Sequence, residues 1–212
     1  DWAVQPMADK DWNAEWEANY APVTIADRCY IRAPFHPAKP EVEFEIIIEP
    51  KMSFGTAHHA TTSQMVEYVL ETEVKGKSVL DMGAGTGVLA ILSYMRGASP
   101  VTAIDIDEWA YRNGLENVAH NNCPEVKVLM GDASLLGKES YDIILANINR
   151  NILVNDIPTY VGCLNDEGLL FVSGFYDGND LEIIKKCCAD NGLEYVSHKV
   201  KDMWVAAKFR KV

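Results

Sequence analysis

Beyond Ser78, short apolar runs alternate with longer stretches whose apolar residues recur at helical spacing. Val79 to Met82, Val101 to Asp105, Val126 to Met130, Tyr141 to Ala146 and Gly168 to Ser173 are short and largely apolar or β-branched. They predict five strands. Val88 to Met95, Glu108 to about His120, and Asp180 to Asn191 predict helices. Strand–helix alternation implies right-handed crossovers and a mainly parallel sheet. Glu194 to Val200 and Trp204 to Phe209 then follow one another with no helix between. So short a link forces an antiparallel pair. The expected fold is therefore α/β and Rossmann-like, with a seven-stranded, mostly parallel sheet ending in an antiparallel C-terminal strand.

Residues 1–50 have a different character. Trp12 and Trp16 stand four apart, on one face if that stretch is helical. Pro22, Pro34, Pro37 and Pro40 then punctuate extended pieces such as Cys29-Tyr30-Ile31 and Phe44 to Ile48. The expected division is a linker helix with short extended segments over 1–50 and one α/β domain over 51–212. Apolar residues make up 48% of the 212 and charged residues 24%, an ordinary globular balance. The formal charge of −12 argues against a broad phosphate-binding footprint. It suits a basic partner, and equally a plain acidic surface. The five cysteines form no C-x-x-C pair, so free thiols in a reducing cytoplasm are the simplest account. No apolar run approaches the ~18 residues of a membrane span, and no signal peptide opens the chain. The first residue is Asp1 rather than Met, so the sequence reads as a piece of something longer.

The chemistry begins at Asp81-Met82-Gly83-Ala84-Gly85-Thr86-Gly87, where the first strand of the series turns into its helix. Glycines there let backbone approach a ligand, and a helix N-terminus favours polar or anionic groups. Asp105 ends the next strand, where a carboxylate can accept from both hydroxyls of a ribose. A tight structural turn with Asp105 as a helix cap is the competing reading. The dinucleotide pattern G-x-G-x-x-G would need glycine at position 88, which is Val88. An acid at Asp81 suits a ligand with a positive amino group rather than a pyrophosphate. S-adenosylmethionine (SAM) presents one. Asp132, in Gly131-Asp132-Ala133, follows the third strand, where an adenine ring would need a polar edge contact. The set favours SAM over NAD.

Two further motifs narrow the choice. Pro50 to Thr62 clusters small and hydroxyl residues before a helix running to Leu70, as a loop folded over a ligand would. Thr61, Thr62 and Ser63 are candidate caps for that helix. The neighbouring His58 and His59 lack a carboxylate or third histidine at metal-ligand spacing, so no metal is expected. Ala146-Asn147-Ile148-Asn149 closes the fourth strand, and the carboxyl ends of strands one and four should border the ligand crevice. Asn147 offers both a donor and an acceptor there.

Taken together, these segments resemble the PrmA family, methyltransferases of large-subunit ribosomal protein eleven. The resemblance rests on Asp11-Trp12 with Trp16, Phe54-Gly55-Thr56 with His59 and Thr61-Thr62, Leu80 to Gly87, Ala103 to Asp107, and Ala146-Asn147-Ile148, and less distinctively on Ser173-Gly174 and Trp204. It implies a class I SAM-dependent methyltransferase domain over 51–212, with SAM contacts at Thr62, Gly83, Asp105 and Asn147. Phe54, Thr56, His59, Asp81, Gly85 and Asp132 complete the expected cofactor set, and Asn147 is the expected catalytic residue. The implied substrates are lysine ε-amines and an N-terminal α-amine of the ribosomal protein, often carried to trimethylation. Ala57 departs from the family's usual Gly, placing a Cβ where positive φ is expected. The family also carries an N-terminal substrate-recognition domain ahead of the linker helix, near which this sequence begins.

The expected reaction is in-line displacement at the SAM methyl by a neutral amine. A lysine ammonium has a reference pKa of ~10.4, so a closed, desolvating pocket must favour proton loss. Positioning supplies most of the catalysis. Rival readings are a release-factor glutamine methylator, an RNA methyltransferase and a non-catalytic SAM-binding module. The first would carry N-P-P-Y where Ala146-Asn147-Ile148-Asn149 stands, and the charge opposes the second.

Overall fold

The computed structural model describes residues 20–51 and 54–212; the expected helix around Trp12 and Trp16 lies outside them. A small sheet comes first, formed by β1 (Val23–Ile25), β2 (Cys29–Arg32) and β3 (Phe44–Ile47) in that order. The main sheet contains β4 (Val79–Met82), β5 (Val101–Asp105), β6 (Val126–Met130), β7 (Tyr141–Asn147), β8 (Leu164–Tyr176), β9 (Leu193–Lys201) and β10 (Trp204–Lys211). Among the described residues, five α-helices accompany them: α1 (Ala60–Glu71), α2 (Val88–Met95), α3 (Glu108–His120), α4 (Arg150–Cys163) and α5 (Asn179–Asp190).

The main sheet has the order β6-β5-β4-β7-β8-β10-β9, and every pairing is parallel except those of β10 with its two neighbours. β10 reverses because only Asp202 and Met203 separate it from β9. Both have positive φ (52° and 66°), the two-residue turn whose twist matches a hairpin. From β4 the chain winds outward through β5 to β6, then returns to β7 on the other side of β4. The carboxyl ends of β4 and β7 therefore bracket a crevice. Register keeps those ends level: Met82 pairs with both Ile104 and Ala146, and Ala146 with Val172. Gly83, Asp105, Asn147 and Ser173 thus each stand one residue beyond a common row.

Alternation along the strands separates two apolar layers. Val79, Ala103, Leu145 and Phe171 pack on one face with Met65, Leu89, Ile91 and Leu92 of α1 and α2. Leu80, Ile104, Ile144 and Val172 pack on the other with Leu153, Ile157 and Tyr160 of α4 and Leu181 and Ile184 of α5. Ile25, Ile31, Ile46 and Ile48 of the small sheet join the first layer, so the apolar contacts cross position 50 without a break.

Two local features differ from the sequence expectation. Helix α4 was not anticipated, because Pro158 sits inside it. Proline removes the N–H that would bond Val154 O. That carbonyl instead accepts from the Cys187 thiol of α5 at 3.6 Å. Secondly, α1 is capped by His59, whose Nδ1 accepts from Thr61 N at 3.3 Å, and not by Thr61, Thr62 or Ser63. Those three lie inside the first turn, buried.

At the C-terminal end of β3, side chains close the outer edge. Asn113, Asn117 and Asn121 stand one turn apart on α3. Asn121 accepts from Ile47 N (2.8 Å) and donates to Ile47 O (2.6 Å); Asn117 accepts from Glu49 N (2.8 Å) and Asn113 donates to Glu49 O (3.2 Å).

Candidate functional site

The level strand ends open into a cleft of about 1030 Å³. Its floor is the turn after β4. Gly83, Gly85 and Gly87 all have left-handed backbone (φ 65°, 55° and 78°), a conformation that costs other residues ~1–2 kcal/mol each. The glycines also make room for protein. A Cβ at Gly83 would collide with Ile148 Cγ2, and one at Gly85 with the carbonyl oxygen of Phe54. Gly174 (φ 100°) meets the Ile148 carbonyl in the same way. Ala146-Asn147-Ile148, the glycine turn and Ser173-Gly174 therefore interlock, which accounts physically for their joint occurrence.

Asp105 lies on the cleft wall and organises it. Its Oδ2 accepts from Gly85 N at 2.8 Å and its Oδ1 from Asp107 N at 2.9 Å. Each oxygen keeps a further lone pair for a ligand. The competing reading of Asp105 as a helix cap falls away, because Asp107 caps α3 by accepting from Ala110 N at 2.9 Å. Asp132, also on the wall, caps a short 3₁₀ turn through Ser134 N (2.9 Å), and the Ser134 hydroxyl, together with that backbone bond, holds its carboxyl below the usual range. Ile106 and Trp109, both largely exposed, give this wall apolar surface suited to a ring.

Asn147 faces the same cleft from the end of β7. Its Nδ2 donates to the Thr62 hydroxyl at 3.3 Å, while its Oδ1 is buried and has no partner. Phe54 borders the cleft too and is half exposed.

Four expected cofactor residues lie off the cleft wall. Thr62 is buried behind Asn147. His59 packs between the rings of Phe54 (5.3 Å) and Trp204 (4.7 Å). The Thr56 hydroxyl lies 3.1 Å from His58 Nδ1. Asp81 is 1% exposed and turned toward α2, where its Oδ2 accepts from Ala90 N at 3.1 Å. Burial above all, with some repulsion from Asp105, pushes its carboxyl up to about 7. Ala57, as expected, has positive φ (67°). The α4 side of the wall, Ile152, Asn155, Asp156 and Thr159, was missed with its helix. Its three- and four-residue spacing is the signal that would have exposed it once the helix was known.

The family model described as ribosomal protein L11 methyltransferase (PrmA) matches residues 1–212. The chain belongs to that family. It is 48% identical over 211 residues to the ribosomal protein L11 methyltransferase of Phocaeicola vulgatus, covering 99% of this chain and 75% of that protein. The enzyme of the same name from Bacteroides fragilis is 51% identical over 203 residues, 95% of this chain and 72% of that protein. Among solved structures, the ribosomal protein L11 methylase from Lactobacillus delbrueckii subsp. bulgaricus superposes with a TM-score of 0.84 at 26% identity, covering 91% of this chain and all of that one. The chain is thus a SAM-dependent methyltransferase of the class I, Rossmann-like fold. The cleft fits that cofactor: a left-handed glycine turn is fixed by a carboxylate with free lone pairs, apolar side chains flank it, and a buried acceptor awaits a donor. Among the described residues, no helix is long and apolar enough to cross a membrane.

Proposed function

We propose that this chain methylates lysine ε-amines and/or the N-terminal α-amine of ribosomal protein L11 in the cytoplasm, without contacting nucleic acid directly. The observation that carries the reading is Asn147 Oδ1, a buried acceptor without a partner beside the glycine turn. Leaving such a group unpaired costs about 1–3 kcal/mol, which an N–H of an incoming amine offsets. We assign cofactor contact to Phe54, Gly83, Gly85, Asp105, Asp132 and Asn147, which border the cleft. Thr56, His59, Thr62 and Asp81 support those contacts from behind. Residues 51–212 form the catalytic unit in this reading, with 1–50 as its linker.

SAM, when bound, supplies an electrophilic methyl group. The protein's part is to receive an amine and present its lone pair. Carboxylates on the cleft wall, Asp107, Asp132 and Asp156, draw in a cation. The apolar surroundings of Phe54 and Ile148 then favour the neutral amine. Asn147, its rotation fixed by Thr62, accepts one amine hydrogen and aligns the nitrogen. The family relatives named for L11 support the target. Labelled methyl transfer from SAM to under-methylated ribosomes and to free L11, followed by peptide mapping, tests it. Label on lysine or the N-terminus is expected; label on glutamine or ribosomal RNA would overturn it.

A further inference from the structure

The glycine turn is fastened to the segment that precedes α1 by a junction the sequence motifs do not describe. Thr86, wholly buried, donates its backbone N–H to Phe54 O at 2.9 Å and its hydroxyl to Gly55 O at 2.8 Å. Its own carbonyl accepts from Asn117 Nδ2 at 2.9 Å, and Asn117 Oδ1 accepts from Glu49 N at 2.8 Å. Both sides are cut away to let the backbones meet. Gly55 (φ 108°) would carry a Cβ 2.8 Å from the Thr86 hydroxyl, and Gly85 has no room for one beneath Phe54 O. Gly85 therefore serves a protein–protein approach as much as a ligand. The segment so fastened carries Phe54, a wall of the cleft.

We propose that Thr86 is a positioning residue: its paired bonds latch Phe54-Gly55 onto the glycine turn and so govern how long SAM stays in the cleft, with Asn117 holding the latch to the end of β3. A hydroxyl is needed, because Val has the same shape but no donor for Gly55 O. The inference rests on the cleft being the SAM site and is independent of which amine is methylated.

The test compares wild type, Thr86→Val, Thr86→Ser and, as a control for the cleft itself, Asp105→Ala. SAM dissociation is followed by stopped flow, affinity by calorimetry, and acceptor KM at saturating SAM. Losing one well-placed hydrogen bond predicts about tenfold faster SAM dissociation in Thr86→Val. Thr86→Ser should lie within about twofold of wild type, and acceptor KM should not move. An unchanged dissociation rate in Thr86→Val with weakened binding in Asp105→Ala overturns the latch and keeps the cleft. Normal SAM binding in both overturns both. Failure of Ser to restore the rate makes Thr86 a packing residue and also overturns the proposal. A measurement on wild type alone guards against a Val variant that does not fold. SAM should slow amide exchange at Thr86, whose N–H is held by Phe54 O, and no slowing overturns the proposal.

Discussion

The two sides of the cleft differ in how completely they are finished. On the Asp105 side, the wall is complete in itself: Gly85 N and Asp107 N are held by Asp105, and Ser134 N by Asp132. On the Asn147 side, one end of the amide is fixed by Thr62 and the other reaches nothing. Two buried asparagines of α3 sharpen the contrast. Asn117 and Asn121 have both ends of their amides satisfied by backbone, while Asn113 donates to Glu49 O and its own buried Oδ1 has no partner. Those amides hold the chain in place. In the proposed reading, the wall finished internally waits in shape for the cofactor, and the wall short of one donor is completed by the reacting molecule.

The largest expected effect breaks the unfinished side. Asn147→Asp replaces the amide donor with a charged acceptor that would hold an ammonium protonated, against the need for a lone pair. Single-turnover methyl transfer at saturating SAM should fall roughly 10²-fold, the scale of one lost positioning group. A near-normal rate would reduce Asn147 to a turn residue and erase the contrast.

Next comes the finished side. Asp105→Ala removes the carboxylate that ties Gly85 to Asp107 and to which we assign the cofactor contact, so SAM affinity should drop by ~2–3 kcal/mol. Calorimetric titration reads this directly. Acceptor KM at saturating SAM should change far less; an equal loss in both would mean that the two walls do not divide the labour.

Asp81 refines the comparison through pH. Its folded carboxyl, raised to about 7, lies above the ordinary aspartate value. The native state therefore binds more protons than the unfolded one between roughly pH 4 and 7, and wild-type stability falls as pH rises through that window. Asp81→Asn keeps an acceptor for Ala90 N and cannot ionise. Its stability relative to wild type should be greater at pH 7.5 than at pH 5, measured by denaturant unfolding. A difference independent of pH would mean that Asp81 is charged in the fold.

The smallest effect is expected at Ala57. Glycine there relieves a left-handed strain of ~1–2 kcal/mol, but gives up ~0.8 kcal/mol of methyl burial and ~0.5–1 kcal/mol of chain entropy. Ala57→Gly should accordingly shift stability by less than about 1 kcal/mol and leave SAM affinity within twofold. A large loss by thermal unfolding would show that the methyl, which is buried, matters more than the backbone.

Legibility from sequence followed the range of the interactions concerned. β4, β5, β6, α2 and α3 begin and end where the periodicity placed them, because each is a local pattern closed by glycine or a cap. Asn147 was legible through its position at a strand end. Helix α4 was hidden because the acceptor freed by Pro158 is satisfied by Cys187, which lies far along the chain. The acid at Asp81 was legible as a motif, yet its direction was not. Strand alternation turns it away from Met82, which faces the cleft, and into the layer against α2. Thr86, between two glycines, carries no sequence signal of its role, since its partners Phe54, Gly55 and Asn117 are brought to it only by the fold.

The asparagine row on α3 has a consequence for the chain's behaviour in a crowd. β3 is an edge strand, and edge strands with free backbone groups recruit other chains. From Ile47 to Glu49, the outward N–H and C=O groups are already taken by Asn113, Asn117 and Asn121. Over that stretch a helix has taken the place of the next strand, so this end of the edge is closed to the backbone of a second copy.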